Sequence, residues 1–114
     1  MALTIASREV EGVAVLDLSG RITLGEGSVQ IRDAIRELLG KGQKNILLNL
    51  EDVNYIDSSG LGELVSAYTS ARNQSAGLKL LKLTKKVHDL LQLTKLYTVF
   101  DIFDDEAVAI ASFK

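Results

Sequence analysis

Residues 57–62 read Asp-Ser-Ser-Gly-Leu-Gly and follow an apolar run through Asn54, Tyr55 and Ile56. An acid, two hydroxyls and a permissive backbone at such a corner could serve as a nucleophile, a phosphate cradle, a helix cap or a site of modification. A nucleophile elbow needs Gly-x-Ser-x-Gly with a histidine base in reach. The residues two before Ser58 and Ser59 are Ile56 and Asp57, and the one histidine, His88, lies in a separate helical pattern. Asp57 is adjacent in sequence rather than set behind a base, so a Ser-His-Asp arrangement is not expected. The segment has neither the lysine and spacing of a P-loop nor a Gly-x-Gly-x-x-Gly turn. Its carboxylates are scattered, with no His-Glu-x-x-His or acidic cluster for a metal. The chain is therefore expected to carry no catalytic residue, cofactor or metal and not to be an enzyme.

Two readings of the corner survive. Asp57 or Ser58 could cap the following helix by accepting from its orphan N–H groups, worth about 1 kcal/mol. The position three residues on is Gly60 or Leu61 rather than Glu or Gln, so the capping box is incomplete. Gly60 and Gly62 are not explained by a cap, since a glycine in a helix costs about 0.5–1 kcal/mol relative to alanine. They point to a close approach to the backbone, by the core, by a partner or by another enzyme's active site. A serine at a helix start beside small residues is also a good phosphoacceptor. The phosphoryl group would meet the positive end of the helix, while its charge of about −1.5 to −2 would sit beside Asp57. With those effects opposed, the fold should survive and a docked partner should be repelled.

The corner must be held by the elements on either side of it. Residues 3–20 read as two strands joined at Glu11-Gly12, the second ending at Gly20. "RITLGEGS" is a loop or short edge strand, with Ser28 as the N-cap of a first helix. Behind it Ile31, Ala34, Ile35, Leu38 and Leu39 form one apolar stripe, closed by Gly40 and Gly42. "KNILLNLEDV" has the continuous apolar character of a strand covered on both faces. Leu61, Leu64, Val65 and Tyr68 mark the second helix, and "LKLLKL" the next strand. Thr84 heads a third helix bearing Val87, Leu90 and Leu91; "VFDIF" and "DDEAVAIASF" give a last strand and helix. The order β-β-α-β-α-β-α-β-α predicts one α/β domain over residues 1–114, with a mixed, mainly parallel sheet, right-handed crossovers and about four helices.

Composition agrees with an ordinary globular chain. It has no cysteine and no apolar run near the roughly 20 residues that span a bilayer. The first ten residues lack a signal-peptide pattern, so a soluble, cytoplasmic protein is expected. A net charge of −2 argues against a dedicated nucleic-acid binder. Between Arg72 and Lys95 the cations Arg72, Lys79, Lys82, Lys85, Lys86 and Lys95 face one acid, Asp89. That run is either a solvated face or an electrostatic rim for an acidic partner.

"LDLSGRIT" (16–23), "LNLEDVNYIDSSGLGELVSAY" (48–68) and the segment 78–113 together resemble the STAS domains of anti-sigma factor antagonists, over almost the whole chain. The Asp-Ser-Ser-Gly-Leu-Gly corner is the specific part of that resemblance. It implies a binding partner rather than an enzyme. The unphosphorylated form would bind an anti-sigma factor, itself a serine kinase of the histidine-kinase-like ATPase fold, and free the sigma factor. Phosphorylation on Ser58 would end the interaction, and a metal-dependent serine phosphatase would restore it. Asp57, Ser58, Ser59, Gly60, Leu61 and Gly62 would form the partner-binding motif, Leu61 with Val65 as its apolar part or support. Thr23 joins them, standing where members often carry an acid in a Gly-x-aliphatic-Asp loop; it keeps a hydroxyl without the charge. The resemblance further implies a monomer or weak dimer; charge and the short apolar runs already speak against nucleic-acid binding and membrane insertion. The same fold also serves as a stand-alone subunit of ABC-type lipid transporters and as a scaffold in stress-signalling assemblies.

Overall fold

In a computed structural model, which describes residues 3–114, the elements follow the expected order. They are β1 (Leu3–Val10), β2 (Val13–Ile22), α1 (Glu26–Gly40), β3 (Asn45–Ile56), α2 (Ser58–Asn73), β4 (Gly77–Leu81), α3 (Lys85–Leu93), β5 (Ile102–Phe103) and α4 (Glu106–Ala111). The sheet runs β1-β2-β3-β4-β5, with only β1 antiparallel to its neighbour. Glu11 and Gly12 both adopt positive φ between the paired Val10 and Val13, as a two-residue hairpin requires.

Period-two alternation divides the sheet's side chains between two cores. Leu16, Leu18, Ile46, Leu48, Leu50 and Leu80 face α1, α2 and α3, meeting Ile31, Ile35, Leu64, Val87 and Leu91. Each such leucine or isoleucine contributes roughly 1.5–3 kcal/mol by leaving water. The intervening Val13, Val15, Leu47 and Leu81 pack on Ala109 and Ile110 of the short α4. Further along that second face apolar contact gives way to a polar knot. Arg8 bonds Asp17 (2.7 Å) and Glu106 (2.6 Å), and Asn49 donates to Asp17 at 2.7 Å. The Arg8 guanidinium holds both carboxyls below their usual range.

Three local expectations are corrected. Strand β2 does not stop at Gly20 but continues to Ile22, with register shifts between Asp17 and Ser19 and between Gly20 and Arg21. It is a central strand, and those irregularities interrupt the alternation that would have revealed its length. Ser28 is not a cap: α1 begins two residues earlier, after Gly25 at φ 95°, with no side-chain cap bond. Ser28 is instead buried, its Oγ donating to the Thr23 carbonyl at 2.9 Å. Of "VFDIF", only Ile102–Phe103 pair with β4.

Candidate functional site

Strands β2 and β3 end side by side, Ile22 opposite Ile56, and the Asp-Ser-Ser-Gly-Leu-Gly corner turns out of β3 there. Asp57 is the last extended residue (φ −107°, ψ −179°), and α2 starts at Ser58. The Asp57 N–H donates back to the Ile22 carbonyl at 3.3 Å, so the corner is hydrogen-bonded to the neighbouring strand. The Asp57 carboxylate accepts from the Gly60 N–H at 2.7 Å, and the Leu61 N–H donates to the Asp57 carbonyl at 2.9 Å. Of the two candidate caps, Asp57 therefore does the work. Ser58 and Ser59 are exposed, and neither hydroxyl hydrogen-bonds to another described residue.

The two glycines part company. A β-carbon on Gly60 would collide with the Ile22 carbonyl oxygen and lie 2.8 Å from Ile22 Cγ2. The close approach at Gly60 is thus made by the fold's own backbone. Gly62 is exposed, and a β-carbon there would meet no atom within 4 Å. Leu61 is buried in the main core beside Leu64, while Val65 is half-buried against it. Leu61 supports the corner from beneath and presents no exposed contact surface. Thr23 follows Ile22 directly and is half-buried, and its carbonyl accepts both the N–H and the Oγ–H of Ser28.

Beyond the motif, a shallow groove of about 530 Å³ opens beside Ser58. Its near wall is Tyr55, Ile56 and Asp57; its far wall is α3, through Lys86, Asp89 and Leu93. Leu93 is 80% exposed, and Leu24, next to Thr23, is 77% exposed. The Tyr55 ring carries two cations, Arg21 4.4 Å and Lys86 5.5 Å from its centroid. Asp89 pairs with Lys85 at 2.7 Å, which holds its carboxyl below the usual range, whereas Lys86 has no ion pair among the described residues. The cations of the 72–95 segment are engaged differently from one another. Lys79 donates to Ser112 beside α4, Lys82 lies 3.6 Å from Glu51, and Arg72 packs on Tyr68; of the six, only Lys86 lines the serine groove.

Sequence reasoning noted Lys86 among other cations but missed Tyr55, Arg21 and the exposed leucines. The Arg21–Tyr55 pairing depends on register shifts that no residue pattern announces. His88 lies 5.1 Å edge-on from Tyr97, on α3. Among the described residues no group of three or more His, Asp or Glu could hold a metal ion, and no helix is long and apolar enough to cross a membrane.

The STAS-domain family model matches residues 4–109, a span that includes the corner, the paired strand ends and α3. The chain belongs to the STAS-domain family. It is 28% identical over 111 residues to the anti-sigma F factor antagonist of Paenibacillus polymyxa, covering 96% of this chain and 94% of that one. It is also 28% identical over 102 residues to the anti-sigma-B factor antagonist of Bacillus subtilis, covering 90% and 92%. In fold it is similar to the Bacillus cell fate determinant SpoIIAA in its phosphorylated form, with TM-score 0.74, 21% identity and coverage of 99% and 100%. With that match the STAS domain, expected from the Asp-Ser-Ser-Gly-Leu-Gly corner, is established from both sequence and fold.

Proposed function

We propose that this STAS protein is an anti-sigma factor antagonist that works by partner switching in the cytoplasm. Unphosphorylated, it binds an anti-sigma factor that is also a serine kinase of the histidine-kinase-like ATPase fold, and so frees a sigma factor. The kinase transfers a phosphoryl group to Ser58, which ends the interaction, and a metal-dependent serine phosphatase removes it. Near full-length similarity to two proteins named as anti-sigma factor antagonists supports the role. The observation that carries the switch is the state of Ser58: exposed, first in α2, its hydroxyl unclaimed because Asp57 already serves as the cap.

Phosphate on that hydroxyl needs no refolding to act. It adds a near-dianion at the surface, and juxtaposed like charges across an interface cost several kcal/mol. Asp57, Ser58, Ser59, Gly62 and Thr23 form the face that meets the partner, with Gly60 and Leu61 fixing it from behind. Ser58→Ala should stay folded and bind the kinase whether or not ATP is supplied. Ser58→Asp should stay folded and bind about a hundredfold more weakly, the equivalent of roughly 3 kcal/mol. Calorimetric titration of each variant with the partner measures this. Equal affinity for Ser58→Asp and the native protein, or phosphate mapped by mass spectrometry to Ser59, would remove the proposed switch.

A further inference from the structure

The two cations on Tyr55 have no ion pair among the described residues and are held by their contacts with the ring. Lys86 lies on α3, well separated in sequence from the serine motif, yet it shares the groove with Ser58 and has no carboxylate within ion-pair distance among the described residues. Its Nζ lies over the Tyr55 ring, and Tyr55 stands three residues before Ser58. Arg21 lies on the same ring, brought there by the pairing of Arg21 with Tyr55 in adjacent strands. A ring holding two like charges costs Coulomb repulsion, partly offset by the attraction of each cation to the π face. An anion placed beside them would relieve that repulsion. The acids already present do not: the Asp57 carboxylate is engaged with the Gly60 N–H, and Asp89 with Lys85.

We infer that Lys86, supported by Arg21 across Tyr55, is the internal counter-charge for phosphoserine 58, pairing with the phosphate once it is attached. The inference rests on the reading of Ser58 as the phosphoacceptor and deepens it. In the unmodified protein Lys86 is free to meet an acidic group of the partner; after phosphorylation it is occupied from within. The switch then removes an attractive charge from the docking face as well as adding a repulsive one. The charged side chains that share the groove with Ser58 are Asp57 on its own segment and Lys86 and Asp89 on α3; Lys85 stands behind Asp89 as its ion-pair partner, and Arg21 on β2 reaches the groove's Tyr55.

The test uses full-length protein with phosphoserine placed at position 58 during translation, so it does not depend on finding the kinase. All variants carry His88→Gln, which removes the chain's only imidazole. Phosphorus NMR then follows the second ionisation of the phosphate, which lies near pH 6 in a free phosphoserine. With Lys86 present that ionisation should fall by about half a unit or more below its value in a short phosphopeptide. Lys86→Ala should return most of the shift, Lys86→Arg should keep it, and Arg21→Gln should return a smaller part. Coincident titrations for Lys86→Ala and its parent would overturn the inference and leave Ser58 as a switch acting by repulsion alone. A partner that never modifies Ser58 would remove the switch while leaving this titration as it stands.

Discussion

Two helices start side by side at the ends of the paired strands β2 and β3, and each carries serine in its first turn. They treat it in opposite ways. At α1 no side chain caps the helix; the Thr23 carbonyl turns toward the first turn and takes both the N–H (3.2 Å) and Oγ–H (2.9 Å) of Ser28, which is buried. At α2 the capping is done by Asp57, and the exposed Ser58 and Ser59 hydroxyls bond to no other described residue. One hydroxyl is absorbed into structure and the other is left exposed. The difference lies less in the serines than in which neighbouring group has already met the orphan N–H groups.

The contrast depends on the two corners being locked together through Ile22, and the largest expected effect comes from unlocking them. Gly60→Ala drives a methyl group into the Ile22 carbonyl, a backbone atom that cannot rotate away. The carbonyl is also the acceptor for the Asp57 N–H. We expect a loss of about 1–3 kcal/mol or more, typical of overpacking, seen as a lower urea midpoint at unchanged slope. A Gly60→Ala protein as stable as the native one would mean that the corners are not in contact as described.

A smaller effect tests the serines directly. Ser28→Ala removes a buried donor but leaves the Thr23 carbonyl its bond from the Ser28 N–H, so the expected cost is about 0.5–1.5 kcal/mol. Ser58→Ala removes an exposed, unpartnered hydroxyl and should change stability by less than about 0.5 kcal/mol. Paired thermal and urea melts measure both. If the two substitutions cost the same, Ser58 has a structural task and the contrast between the corners fails. Phosphate found on Ser28 after incubation with the kinase would break it from the other side.

What could be read in the sequence divides along the same line. The order of elements, the apolar stripe of α1 and the hairpin at Glu11-Gly12 rest on local spacing, and local spacing survives into the fold. The cap was also legible, as Asp57 or Ser58, since capping chemistry is decided within four residues, and the fold selects Asp57. Ser28 was misread because its partner, the Thr23 carbonyl, is backbone and leaves no mark in side-chain identity. The length of β2 was hidden by its register shifts. The groove beside Ser58 was hidden for a different reason: Arg21, Tyr55 and Lys86 come from three elements and meet only once the sheet is assembled.

Gly62 gives the smallest effect and the sharpest separation of fold from function. Gly60 is required by its contact with Ile22; Gly62 sits two residues later, exposed, with open space where a β-carbon would go. Alanine there should stabilise α2 by about 0.5–1 kcal/mol, because the unfolded chain loses freedom and the helix loses nothing. The proposed docking face supplies an outside reason for a glycine here: a partner packing on the bare backbone beside Ser58 would leave no room for a methyl group. Gly62→Ala should therefore raise the melting temperature while weakening partner binding several-fold, with Ser58 unmodified in both proteins. If the melting temperature rises and binding does not change, the partner's approach stops short of α2's first turn, and the docking face must be redrawn around Ser58, Thr23 and α3.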